Sequence, residues 1–197
     1  MLVSAFILLA VVLATVGFQK VFVATDEYYK ATGDQTRVLD FIAQDMRRAT
    51  SGSVSDTGQT LTLKLPDYID YTQNPPAPRT PTISSNGTVT YGASGSQPTV
   101  VYAITGSAPN QAIQRTFTPS SGTATVTKLT LATAQFQFRV FDPANAASTA
   151  NFSFGGAGQP SSITAQVTFM PRFTRKNLAT SRTATQGSRT MFVRNHL

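Results

Sequence analysis

Residues 1–18 read MLVSAFILLAVVLATVGF, and residues 19–50 continue QKVFVATDEYYKATGDQTRVLDFIAQDMRRAT. The first stretch carries no charge. Its only hydroxyls are Ser4 and Thr15, and the first charged residue is Lys20. Eighteen helical residues rise about 27 Å, close to the ~30 Å hydrocarbon core of a bilayer. A soluble helix of that length shows a polar side. Here Leu2, Phe6, Ile7, Leu8, Leu9, Val12, Leu13 and Phe18 leave none, so residues 1–18 read as a membrane-spanning segment. A cleaved signal peptide would put a basic stretch before the apolar run and a polar spacer after it. This run leads straight into another helical pattern instead.

That second pattern is amphipathic. Val38, Leu39, Ile42, Met46 and Ala49 recur at intervals of three and four, which is one stripe of a helix. Arg37, Asp40, Gln44, Asp45, Arg47 and Arg48 are assigned to the other face. Gly33-Asp34 offers a break, because Gly costs a helix about 1 kcal/mol relative to Ala. Ser51-Gly52-Ser53 supplies the stop. Residues 1–50 therefore read as one rod, apolar all round over 1–18 and on one stripe over 19–50. That stripe needs a cover.

The cover follows, because after residue 52 the hydrophobic period becomes two. Leu61, Leu63 and Leu65 alternate with polar residues, as do Val89 and Tyr91, then Phe136, Phe138 and Val140, then Ile163, Ala165, Val167 and Phe169. Such alternation marks half-buried strands. Further strands are expected at 99–104, 112–117, 123–127 and 190–194, with turns at Asn86-Gly87, Ser121-Gly122 and Gly155-Gly156. Residues 70–81 (DYTQNPPAPRTP) read as a Pro-rich loop. The expected class is α+β. A long N-terminal helix carries, on its second half, an antiparallel sheet domain over 51–197, with Val38, Leu39, Ile42 and Met46 packing against Phe136, Phe138, Val167 and Phe169.

Composition narrows the function. The chain has 197 residues, 13% of them charged, no cysteine and one histidine, His196. Threonine occurs 30 times, which suits pleated sheet. Without cysteine there is no thiolate nucleophile and no cysteine metal site. A lone terminal imidazole makes no triad and no zinc site. No nucleophile–base pair stands out, so the expectation is a non-enzymatic protein with no cofactor. The net charge of +7 is uneven: residues 143–197 hold six bases and no acid. Arg172, Arg175, Lys176, Arg182, Arg189 and Arg194, within the basic region 172–197, are candidate contacts for DNA or another polyanion. The plainer reading is a solvated basic surface.

Smaller features have plain readings beside sharper ones. Asp67 and Asp70 in LPDYIDY are thin candidates for calcium, which needs six to eight oxygens. Tyr28-Tyr29 reads equally as an interfacial anchor or as helix–sheet packing. Asp26 and Glu27 precede Lys30 and read as a neighbour's ion-pair partner or as a solvated helix surface. Asn86-Gly87-Thr88 and Asn151-Phe152-Ser153 match a glycosylation sequon, and Gly155–Gly158 resembles a phosphate loop only in composition.

Taken in order, these pieces resemble the type IV pilin and type II secretion pseudopilin superfamily. Residues 1–18 look like the family's hydrophobic segment. Leu39–Ala49 (LDFIAQDMRRA) resembles the L-x-x-L-x-x-D-L-R-x-A run of J-type minor pseudopilins and PilW-type minor pilins. Val100–Phe117 (VVYAI…AIQRTF) is similar to their YxL…LxR hairpin, and Leu131–Asp142 to the V-x-x-F-x-F-x-Y-x-D strand. Ser162–Arg172 and Met191–Asn195 look like the last strands. The resemblance implies a structural subunit of a pilus or secretion filament, acting in its initiation or tip complex. It implies a single pass of the bacterial inner membrane with the β-domain in the periplasm. The implied partners are other pilin or pseudopilin subunits, the inner membrane, and a prepilin peptidase acting on a longer precursor. Aligned on the hydrophobic run, the sequence begins just after the family's glutamate at mature position five. The expectation is therefore a basic leader and that glutamate upstream of Met1, as the positive-inside rule also requires for a periplasmic β-domain. The other reading is a membrane-anchored periplasmic module that contacts a polyanion through its basic C-terminal region.

Overall fold

The computed structural model describes residues 2–70, 72–85, 87, 89–92, 97–107, 111–121, 123–130, 135–141, 151–153, 162–169 and 185–192. Helix α1 runs unbroken from Leu2 to Arg48, about 70 Å at 1.5 Å per residue. Gly33 does not break it, and a Cβ added there would meet nothing within 4 Å. One glycine's penalty of about 1 kcal/mol is small within a helix whose flanking turns are well formed. Thr15, Thr25, Thr32 and Thr36 each return their hydroxyl to the carbonyl four residues back, at 2.8–3.1 Å, so the helix satisfies these polar groups itself. Arg47 and Arg48 sit in the last turn, where cations favour the helix dipole.

The chain leaves α1 directly into a strand. Residues 51–53, expected only as a stop, open β1 (Ser51–Val54). It is followed by β2 (Thr60–Lys64), β7 (Thr99–Thr105), β8 (Ala112–Thr118), β9 (Thr125–Thr130) and β11 (Asn151–Ser153). These form an antiparallel sheet in the order β11-β1-β2-β7-β8-β9. A second antiparallel sheet has β12 (Ser162–Phe169) between β10 (Gln135–Phe141) and β13 (Thr185–Phe192). The single sheet expected from the alternation is thus, among the described residues, two main sheets. They are joined where Phe138 N donates to Gly58 O at 2.7 Å, at the β1–β2 turn. Gly58 holds φ at +69° there, a conformation that disfavours side chains.

The excursion between β2 and β7 departs further from expectation. Residues 70–81 contribute a strand pairing, since β3 (Ile69–Asp70) meets β4 (Ala77–Pro78). Val89 lies in a two-residue strand, β6 (Val89–Thr90), paired with β5 (Thr82–Ile83). Val89 and Ile83 are both exposed, so Val89 has no core beneath it, and Tyr91 meets Tyr68 edge-on instead, centroids 4.7 Å apart. Short apolar–polar runs mimic strands by chance more readily than long ones do.

The core lies between the second half of α1 and both sheets. Val38, Leu39, Ile42 and Met46 are buried, as expected, and cluster with Leu61, Leu63, Val100, Ile113, Phe138 and Val167. The side chains of Phe136 and Phe169, also expected there, lie outside the described residues. By contrast, α1 is exposed at every position from 3 to 23. The α+β class and the two-part helix therefore follow from one sequence pattern.

Two outcomes test this division. A chain starting at residue 25 is expected to be a soluble monomer with a β-rich far-ultraviolet circular dichroism spectrum; aggregation without strand signal contradicts it. Ile42→Ala is expected to cost about 2–5 kcal/mol in denaturant unfolding; a loss below about 1 kcal/mol would show that Ile42 is not at the helix–sheet seam.

Candidate functional site: an apolar shaft and its buried clamp

Two features of α1 carry functional weight: the bare first half and the way the second half is locked to the domain. Phe6, Ile7, Leu8, Leu9, Val12, Leu13 and Phe18 are all more than half exposed; the side chain of Leu2 lies outside the described residues. This is one helix long and apolar enough to span a membrane, with none of its most apolar stretch buried. A monomeric soluble protein rarely exposes so large a contiguous apolar surface.

The lock was missed by the sequence pattern. Asp45, assigned to the polar face, is buried at 3% exposure and points into the core. Arg115 on β8 grips it twice, Nε to Oδ2 at 2.8 Å and the terminal nitrogen to Oδ1 at 3.1 Å. Tyr102 on β7 is fully buried and donates its hydroxyl to Asp45 Oδ2. Tyr102 and Arg115 are directly opposed across β7 and β8, so one register position of the large sheet presents both donors to the helix. The Tyr102 ring also meets Phe138 of the second sheet edge-on, centroids 6.4 Å apart. Two strands thus converge on one carboxylate of the helix. Burial, with the Asp45 charge beside it, holds the Tyr102 hydroxyl far above its ordinary value near 10. The hydrogen bonds it donates to Asp45 raise Arg115 above its ordinary value.

A signal for this was available. Asp45 is the D of LDFIAQDMRRA, Tyr102 the Y of VVYAI and Arg115 the R of AIQRTF. Each is a fixed letter of the motifs quoted for the resemblance.

Two further contacts tie α1 to the second sheet. Gln35, buried, donates to Val167 O at 3.3 Å. Asp40 pairs with Arg189 of β13 at the surface. Arg189 was one of the candidate polyanion contacts, and its charge is met within the chain. Arg172, Arg175, Lys176, Arg182 and Arg194 lie outside the described residues, as do His196, Gly155–Gly158, Asn86 and Thr88. Of the two sequons, Asn151–Ser153 forms β11, the outer strand paired with β1.

Asp67 and Asp70 do converge, but on a cation of the chain itself. Arg79 Nε lies 2.9 Å from Asp67 Oδ2, out of line for a hydrogen bond, and its terminal nitrogen lies 3.4 Å from Asp70 Oδ1. Asp70 also accepts from Thr72 N, Thr72 Oγ1 and Gln73 Nε2, and the Thr72 bonds hold its carboxyl below the usual range. Gly92, at φ +76°, packs so closely on Asp67 that an added Cβ would fall 2.9 Å from the Asp67 Cβ. These contacts close the Pro-rich excursion onto itself, with a guanidinium where a calcium ion would have to sit. Among the described residues no group of three or more Asp, Glu, His or Cys could hold a metal.

The clamp makes two expectations. Asp45→Ala strands the Arg115 charge and should cost about 3–5 kcal/mol, whereas Tyr102→Phe removes one hydrogen bond and should cost about 1–2 kcal/mol. Because folding raises the Tyr102 pKa, its contribution is whole below pH 10 and fades as pH climbs above that. Wild-type stability should therefore fall more steeply than that of Tyr102→Phe above pH 10; parallel curves in pH-dependent urea unfolding would contradict the buried phenol. Compared with known proteins, the chain matches no protein-family model and no curated sequence.

Proposed function

We propose that this chain is a structural subunit of a filament of the pilin and pseudopilin type, a minor subunit acting in assembly initiation or at the tip. One observation carries the proposal: a single helix whose first half is apolar and bare while its second half is clamped under antiparallel sheets. Such a chain has a use for its shaft in two surroundings. In a bilayer the apolar residues face lipid. In a filament they face the shafts of neighbouring subunits, and the sheets remain outside to select those neighbours. Neither setting needs catalysis. The order of the motifs supports the same reading, because their polar letters, Asp45, Tyr102 and Arg115, join in one network.

In this reading the shaft spans the bacterial inner membrane once and the β-domain lies in the periplasm. A prepilin peptidase processes a longer precursor, and the partners are other pilin or pseudopilin subunits. The polyanion-binding alternative has less support, since Arg189, its one described cation, is engaged by Asp40.

Leu9→Arg tests the proposal. A charge in the middle of an apolar helix costs about 2.5–3.5 kcal/mol on insertion scales, while the clamp, some 36 residues away, is untouched. The variant is expected to keep a folded β-domain and to disappear from filaments sheared off the source cells. A Leu9→Arg chain that still co-purifies with sheared filaments at the wild-type ratio overturns the proposal.

A further inference from the structure

Beyond the apolar shaft, α1 carries a second exposed stripe. Phe18, Phe22 and Tyr29 are 67%, 73% and 74% exposed. Spaced by four and seven residues, they share one face of the helix. Nine residues separate Phe18 from Glu27, two and a half turns, so Glu27 lies on the opposite side. Lys20 and Asp34, seven residues either side of Glu27, line that opposite side with it. Continued along the helix, the charged side becomes the buried stripe at Val38 and Asp45. The aromatic side therefore points away from the β-domain. Tyr28 and Tyr29 part company here: Tyr28 is half-buried off the stripe and only Tyr29 joins it.

We infer that the Phe18–Phe22–Tyr29 stripe is a lipid-contact surface that rests in the interfacial layer of the bilayer crossed by the shaft. The inference rests on the membrane-spanning reading of residues 1–18. Three arguments favour lipid as the occupant. The stripe is continuous with the spanning segment, beginning at its last residue. It is aromatic, and aromatic rings favour the headgroup boundary. Lys20, Glu27 and Asp34 sit on the reverse side, as in helices that lie at an interface, and Asp26 on the flank is paired with Lys30. Phe18 and Tyr29 are about 16.5 Å apart along the axis, so an upright helix would lift Tyr29 clear of the headgroups. A tilt near the upper end of the usual 0–40° range shortens that height to roughly 13 Å and turns the aromatic side down. The β-domain, on the other side, is then held up and away from the membrane, with its sheets open to incoming subunits.

The chain has no tryptophan, so single tryptophans report without background. The full chain is reconstituted in phosphatidylcholine/phosphatidylglycerol vesicles with brominated lipids, carrying Leu9→Trp, Phe22→Trp, Tyr29→Trp or Glu27→Trp. The expected result is strong lipid quenching for Leu9→Trp and for both stripe variants, shallower for Tyr29→Trp than for Phe22→Trp, and none for Glu27→Trp. Tyr29→Trp that escapes lipid quenching and is freely quenched by iodide overturns the inference. Protection of Tyr29→Trp that appears only at high protein-to-lipid ratio also overturns it, assigning the stripe to helix–helix contact. Loss of quenching at Leu9→Trp as well would instead refute the spanning segment, and with it the membrane setting of the proposed function.

Discussion

The Asp45 carboxylate is the constraint around which the fold is arranged. A buried anion is tolerable only if its charge and lone pairs are met, and here the partners come from two adjacent strands, 57 and 70 residues further along the chain. Meeting them fixes the rotation of α1 about its own axis. Asp45 must face the Tyr102–Arg115 pair, and Val38, Ile42 and Met46 are then carried into the core by helical spacing alone. Apolar burial supplies the bulk of the driving force, but it is indifferent to small rotations and slides. The bidentate guanidinium–carboxylate geometry is not. The clamp thus gives the helix a single seat, and the direction of every exposed residue nearer the N-terminus is inherited from it.

Inheritance of this kind makes the unbroken helix important. With α1 unbroken through Gly33, the angular phase set at Asp45 is carried by helical spacing back to Glu27 and Lys20 and on into the apolar shaft. Arg189 on Asp40 and Gln35 on Val167 O hold the same segment from the second sheet, so two sheets agree on one orientation. A rigid shaft of fixed phase presents a defined side to whatever surrounds it, whether lipid or another helix.

Much of this was legible in the sequence because local periodicity carries it. The apolar run 1–18, the stripe at 38–49 and the alternations at 61–65, 135–140 and 162–169 all correspond to observed elements. What was not legible depends on distant residues. Asp45 looks polar and solvent-facing until Arg115 and Tyr102 are brought to it. The division into two sheets depends on which strands pair, and alternation is silent on that. Val89 and Tyr91 alternate convincingly, yet lie in an excursion held by Arg79, Asp67 and Asp70, contacts that no period encodes. Arg189 reads as part of a basic run until Asp40 is found beside it, 149 residues earlier.

The pairing of β1 with β11 sets Ser51 opposite Ser153. During synthesis, β1 is made about 100 residues before its outer neighbour. At the usual 5–20 residues per second, its outer edge stays unpaired for roughly 5–20 s while the shaft has already been made. Unpaired strand edges recruit other strands, and closing so long a loop is slow. The large sheet is therefore completed from its β2–β9 side first, and the strand that directly follows the helix is the last to gain its second partner. The apolar shaft is a second such hazard, and a membrane that took it up early would separate the two in space while the sheet is finished.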